Sequence, residues 1–303
     1  MADSSMMLAK GGVTKFGYRP DAIPMTKALT DPTFYLNISK QSKYGDYAVM
    51  SVERSTGGFR DFTLKEYLNG TLLSWVTESS ATAHGYLKAL YDLSGNGNEY
   101  NTTGIGVSVY GHKIVDTGAL VLTPENLLAF QTTSNSMLKG INNPLNGHAT
   151  LYASFSMSLK ISIDAIVTGK YLVLMGNVPY YPGGVGIVTT PFGAAGIEAA
   201  FLAGPYRMAA SFNVTAGSTN VLTWTFDGSD LRAYTNGVLQ TTTNKSAIGG
   251  GTLSASETMS TINSCVDYRN SPRGPFGIAS KMIEISVFKY ALTDSEIQRL
   301  AHS

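Results

Sequence analysis

The sequence holds a single cysteine, Cys265, among 303 residues, so no intrachain disulfide can form and the fold must rest on packing and backbone hydrogen bonds. Charge is sparse: Asp, Glu, Lys and Arg make up 14% of the chain and sum to +1. The basic residues stand singly, which leaves no electrostatic footprint for a phosphate backbone and excludes nucleic acid as an expected partner. No apolar run approaches the roughly 20 residues that span a bilayer, so membrane insertion is not expected either. Residues 1–12 lack the basic-then-apolar layout of a secretory leader, and synthesis in a reducing cytoplasm is the expectation. Histidine is also scarce. His84, His112, His148 and His302 share no ligand spacing, so neither zinc nor, with Cys265 lacking a partner motif, a cysteine nucleophile is indicated.

What the chain does have is apolar material, 43% of its residues, distributed in short alternating runs. Residues 1–33 stand apart. They carry Gly11-Gly12, Pro20, Pro24 and Pro32 with little periodicity and read as an extended N-terminal arm suited to lying against neighbouring subunits or along its own domain. From residue 34 to 303 the reading is one β-sandwich. Strand signals recur at Ala48 to Glu53, Lys113 to Val121, Thr150 to Leu159, Tyr171 to Met175, Val221 to Phe226, Leu231 to Thr235, Val238 to Thr243 and Met282 to Phe288. In Leu151 to Leu159 one face takes Leu, Ala, Phe, Met and Leu, the other Tyr and three serines, which predicts a sheet with one wet face. Asn236-Gly237 between two alternating runs predicts a two-residue hairpin turn, because both positions need φ > 0. Helix is rare. Thr63 with Glu66, and Thr293 with Glu296, have capping-box spacing, and after Thr293 the residues Ile297 and Leu300 give the apolar stripe of a short C-terminal helix.

Three segments carry a family likeness. Asn220 to Gln240 resembles the paired strands of laminin-G-like and concanavalin A-like lectin domains, and Ile283 to Leu300 resembles their closing strand and helix. Tyr91-Asp-Leu-Ser-Gly-Asn-Gly-Asn98, preceded by Tyr44 to Arg54 and followed by Lys113 to Asp116, resembles the N-terminal half of the arabinofuranosidase B catalytic domain, a pattern shared with bacteriophage virion proteins. The resemblance spans roughly residues 34–301 and implies an all-β, concanavalin-like antiparallel jelly roll. The secreted arabinofuranosidases are disulfide-bonded and carry an additional arabinose-binding module, for which this chain has neither the cysteines nor the length. That departure favours the phage branch. The function it implies is a virion structural protein, a decoration, fibre or baseplate-associated component made in the host cytoplasm. Its partners would be other virion subunits and host surface polysaccharide, in a homo-oligomer. The alternatives are a glycoside hydrolase resembling α-L-arabinofuranosidase and a plain carbohydrate-binding lectin.

Candidate sites follow from residue chemistry. Asp92, Ser94, Asn96 and Asn98 alternate oxygen-bearing side chains with the glycines Gly95 and Gly97, as calcium loops do, and calcium is the one cofactor the sequence leaves open; Asx turns explain the same spacing. Tyr180 and Tyr181, on a loop stiffened by Pro182-Gly183-Gly184, offer aromatic faces for sugar C–H groups or for the domain's own core. Aligned on the arabinofuranosidase resemblance, Glu198 falls near that family's nucleophile and Asp267 near its general acid. A retaining glycosidase needs two carboxyls about 5 to 5.5 Å apart, one ionised and one protonated. Without recognisable active-site sequence around them, rim carboxylates are the plainer reading, and efficient hydrolysis is not the expectation.

Overall fold

The computed structural model describes residues 34–37, 48–94, 96, 99–102, 111–133, 138–140, 144–145, 153–176, 184–189, 196–203, 206–248, 260–262, 265–266, 272–273 and 277–302. The N-terminal arm expected at 1–33 lies outside them. Strands β1 (Phe34–Asn37), β2 (Ala48–Arg54) and β3 (Phe59–Thr63) lead into helices α1 (Leu64–Leu68) and α2 (Thr71–Thr77). Strands β4 (Gly85–Tyr91), β5 (Glu99–Asn101), β6 (His112–Asp116), β7 (Ala119–Leu120), β8 (Phe130–Thr132) and β9 (Leu138–Gly140) follow. The second half carries longer strands: β10 (Phe155–Ile163), β11 (Tyr171–Gly176), β12 (Gly184–Thr189), β13 (Ile197–Ala203) and β14 (Tyr206–Phe212). Then come β15 (Thr219–Phe226), β16 (Asp230–Thr235) and β17 (Val238–Asn244). The short β18 (Ser260–Ile262), β19 (Cys265–Val266) and β20 (Pro272–Arg273) precede β21 (Ser280–Phe288) and the closing helix α3 (Asp294–Ala301).

All the described pairings are antiparallel and form the two faces of a β-sandwich. One sheet runs β17-β16-β15-β10-β21, with β1 and β8 sharing the far edge of β21. From β8 the ladder turns through β6 to β4, whose other neighbours are β2 and β5. The opposite sheet continues from β5 through β9, β18, β11, β12 and β13 to β14. At the open corner the two sheets meet through side chains. Thr241 and Thr243 of β17 donate their hydroxyls to the carbonyls of Ser211 (2.9 Å) and Ala209 (2.7 Å) on β14. Distant parts of the chain interleave, since β9 pairs β18 and β8 pairs β21.

The core follows from period-2 alternation. Phe155, Trp224 and Phe226 point inward from one sheet and meet Phe201 from the other, with ring centroids 4.9 to 6.0 Å apart in edge-on geometry. The serines of β10 do not face water as their alternation predicted. Ser156 and Ser158 are buried because β10 sits between β15 and β21 and its outer face is covered. Ser156 Oγ donates to the Tyr290 carbonyl and accepts from the Leu292 N–H, each at 2.9 Å, and Ser158 bonds Thr223 at 2.9 Å. A small hydroxyl side chain satisfied by a covering segment gives the same pattern as one satisfied by solvent. The covering segment ends in α3, whose Ile297 and Leu300 pack with Tyr234, Phe288 and Leu292.

Both capping boxes form, with Thr63 and Thr293 each accepting from the third residue of its helix while Glu66 and Glu296 accept from the cap. Asn236 and Gly237 have φ of 51° and 80°, as the turn requires, and Asn236 Oδ1 also accepts from Val221 N–H at 2.8 Å, tying the turn to β15. The stretch Lys113 to Val121, expected as one strand, is a hairpin instead. Thr117 (φ 50°) and Gly118 (φ 75°) reverse the chain between β6 and β7. Helix α2 was not expected, because its first residue follows Gly70, which supplies no side-chain cap.

Two outcomes follow from packing. A Cβ on Gly118 would lie 1.8 Å from the Ala81 carbonyl oxygen, on a backbone already in the left-handed region. Gly118→Ala therefore destabilises by about 2 kcal/mol or more, read as a lowered midpoint in urea. His112 is fully buried against Phe130, and neither ring nitrogen has a hydrogen-bond partner among the described residues. Burial pushes its pKa down to about 3. Between the unfolded value near 6.5 and this folded one, only the unfolded chain binds the proton, so stability falls as pH drops through that window, by up to about 1.4 kcal/mol per pH unit. His112→Leu removes this slope, and its melting temperature should fall less than the wild type's between pH 7 and pH 4.5; equal slopes would refute the assignment.

Candidate functional site

Of the two carboxylates singled out in the sequence, Glu198 lies on β13, and Asp267 lies outside the described residues. Alternation along Ile197-Glu198-Ala199-Ala200-Phe201 sends Ile197, Ala199 and Phe201 into the core and Glu198 to the opposite face. Its strand is bonded on both sides, to Val188 of β12 and to Ser211 of β14 at the same register level. The position is therefore held by the sheet, as a reacting group needs. Around it the same face presents Gly186, Ala200 and Ala209 one register step away. Val188 and Ala200 on this face are buried, so the surface beside the carboxylate is covered. Glu198 is half-buried and its Oε2 is buried, so the acid is partly desolvated.

What one such carboxylate can do is attack or stabilise an electron-poor carbon; releasing a leaving group needs a second, protonated acid nearby. Among the described residues, Asp116, Asp227 and Glu125 have lowered pKa values and are engaged in surface contacts. Asp116 is held below the usual carboxylate range by the Lys113 ammonium, which donates to it at 2.8 Å and outweighs the opposing effect of burial. Asp227 is likewise lowered, by backbone N–H donors from Asp230 and Ser229 and by Arg232, which outweigh desolvation. Glu125 falls to about 2, chiefly through the Thr219 hydroxyl that donates to it.

In the loop read as a calcium candidate, Asp92 spends both carboxylate oxygens on Ser94, accepting its N–H and its hydroxyl at 2.8 Å each, and Asn96 donates to Ser94 Oγ at 3.0 Å. This is an Asx turn. Asn98 lies outside the described residues, as do Tyr180 and Tyr181. Among the described residues no group of three or more His, Cys, Asp or Glu side chains could hold a metal ion, and no helix is long and apolar enough to cross a membrane. Gly184 to Thr189 form β12 and are buried.

No family model and no curated protein sequence matches the chain. Solved structures do. A mutant of a GH54 α-L-arabinofuranosidase soaked with 4-nitrophenyl α-L-arabinofuranoside superposes with a TM-score of 0.64 at 11% identity, covering 89% of this chain and 62% of its own. An arabinofuranosidase complexed with arabinofuranosyl-α-1,2-xylobiose gives 0.63 at 9% identity, covering 89% of this chain and 61% of its own. The chain thus spans about three fifths of the length of these enzymes. At such identity the likeness is one of fold, and the fold is that of a β-sandwich found in arabinofuranosidases.

Proposed function

We propose that this chain is a glycan-cleaving domain, a retaining glycoside hydrolase for arabinofuranose-bearing substrates, with Glu198 as its attacking carboxylate. The observation that carries the reading is the position of Glu198. It is a half-buried acid on a doubly paired strand, between Val188 and Ser211, within a sandwich of the arabinofuranosidase fold. In this chemistry the ionised Glu198 attacks the anomeric carbon while an acid gives its proton to the departing glycosidic oxygen. Asp267 is the acid that the sequence resemblance assigns. Water then displaces the glycosyl group from Glu198, with the same acid, now a carboxylate, taking the water's proton. Tyr180 and Tyr181 supply stacking faces for the sugar in this reading.

The virion reading, with other virion subunits as partners in a homo-oligomer, rests on the sequence resemblance alone, and no observation of the fold favours it over hydrolysis. The deciding measurement is release of 4-nitrophenol from 4-nitrophenyl α-L-arabinofuranoside, together with reducing sugar released from arabinan. The wild-type chain should turn both over. Glu198→Gln and Asp267→Asn should each reduce kcat at least about a thousandfold with melting unchanged. A wild-type protein that releases neither product returns the chain to the glycan-contacting or virion reading, as does full activity in Glu198→Gln.

A further inference from the structure

A cleft of about 630 Å³ opens between the β16–β17 hairpin and helix α3. It faces outward from the sheet that does not carry Glu198, since Tyr234 packs with the α3 cluster on the side away from the main core. Its volume is that of an ordinary small-molecule site. We propose that it is a second, non-catalytic binding site for a neutral sugar, independent of hydrolysis at Glu198.

The walls are chemically divided. Val238 and Leu239, just past the hairpin turn, are 60% and 49% exposed, where most residues of their kind are covered. Opposite them α3 presents Asp294 and Gln298. Each of these is fixed by one bond and keeps one acceptor. Asp294 Oδ1 accepts from the Tyr234 hydroxyl at 3.1 Å, and Gln298 Nε2 donates to the Gly237 carbonyl at 2.8 Å. Asp294 Oδ2 and Gln298 Oε1 have no further hydrogen-bond partner among the described residues. Glycine at 237 permits that close approach, because a Cβ there would lie 2.9 Å from Gln298 Oε1. The site is therefore preorganised: a hairpin with a two-residue turn on one side, a capped helix on the other, and two cross-bonds between them.

Charge selects the ligand class. Arg232 in the lining is occupied by Asp227 (2.7 Å) and Asp230 (3.1 Å), so the cleft offers no uncommitted cation and carries the Asp294 carboxylate. An anionic ligand such as a uronate or phosphate is repelled. Two fixed acceptors facing aliphatic side chains suit a molecule with hydroxyl donors on one edge and C–H groups on a face. A neutral pyranose or furanose has both. With Tyr234 almost fully buried, no aromatic ring is offered for stacking, so binding is weak, in the millimolar range or above.

The test uses the full chain with labelled Ile, Leu and Val methyl groups, titrated with xylobiose and separately with arabinotriose up to 20 mM. Saturable shifts are expected at the methyls of Val238, Leu239 and Leu292, and they should be the same in Glu198→Gln, which separates this site from the hydrolytic one. Leu239→Glu and Gln298→Ala should each weaken binding at least tenfold with melting unchanged. Shifts confined to other methyls, unchanged affinity in both variants, or no saturable shift with either sugar would overturn the proposal. Shifts of the same three methyls on raising protein concentration without sugar would overturn it too, by making a second copy of the chain the occupant.

Discussion

Contact between four aromatic rings is the constraint on which the sandwich depends. Phe155, Trp224 and Phe226 stand on neighbouring strands of one sheet, and Phe201 reaches them from the other. Each ring pair contributes about 0.5 to 1.5 kcal/mol beyond the area it buries, and the cluster fixes which faces of β10, β15 and β13 must look inward. Because side chains alternate, fixing the inward face also fixes the outward one. Glu198 faces outward because Phe201, three residues on, faces in. Tyr234 faces α3 because Ala233, beside Trp224 in the register, lines the core. The cluster also carries a cost. Trp224 Nε1 is buried without a hydrogen-bond partner among the described residues, a penalty of about 1 to 3 kcal/mol that the packing around it must outweigh.

The second structural device is the use of hydroxyls where an ordinary sandwich would be wet. Ser156, Ser158, Thr223 and Ser286 form buried polar rows on the outer face of the α3-bearing sheet. Ser156 works in both directions, as donor to Tyr290 and acceptor from Leu292, and so anchors the segment that leads into α3. Once that segment is seated, the capping box at Thr293 starts the helix over Tyr234 and Phe288. Thr241 and Thr243 use the same chemistry at the opposite corner, where hydroxyls replace a backbone ladder between β17 and β14. Ser156, Thr241 and Thr243 therefore tie separate segments of the chain together here.

Much of this was legible in the sequence, for identifiable reasons. The β15 to β17 run, α3 and α1 announce themselves through strict alternation, an Asn-Gly pair and two Thr-x-x-Glu caps, all of which are local rules with little competition. Strands β12 to β14 were not legible. Gly-Val-Gly-Ile-Val-Thr, Ile-Glu-Ala-Ala-Phe-Leu-Ala and Tyr-Arg-Met-Ala-Ala-Ser-Phe are dense in Ala and Gly, which have low strand preference, and they become strands only through pairing with one another. Glu198 was found through the resemblance, while its seat on a strand paired on both sides was hidden for that reason. The reading of β10 failed differently: periodicity reports polarity, and polarity does not say whether water or a covering segment satisfies it. The α3 cleft had no sequence signal at all, because Tyr234 and Asp294 are sixty residues apart and meet only through tertiary packing.

The two outward faces have different physical characters, and the difference bears on how a polymer would be handled. Glu198 lies on β13, beside the edge strand β14, and its strand is bonded on both sides, so its carboxylate is placed by a backbone ladder. That suits chemistry, in which an error of about 1 Å can cost a hundredfold in rate. The cleft at α3 lies at the sheet's end, beside β17, and its walls are held by two side-chain bonds in place of a ladder. That suits weak, reversible contact, where placement matters less than access. Because the aromatic core separates the two faces, a ligand on one does not exclude a ligand on the other. An extended glycan reaching both would gain avidity from effective concentration without any new contact at the Glu198 face.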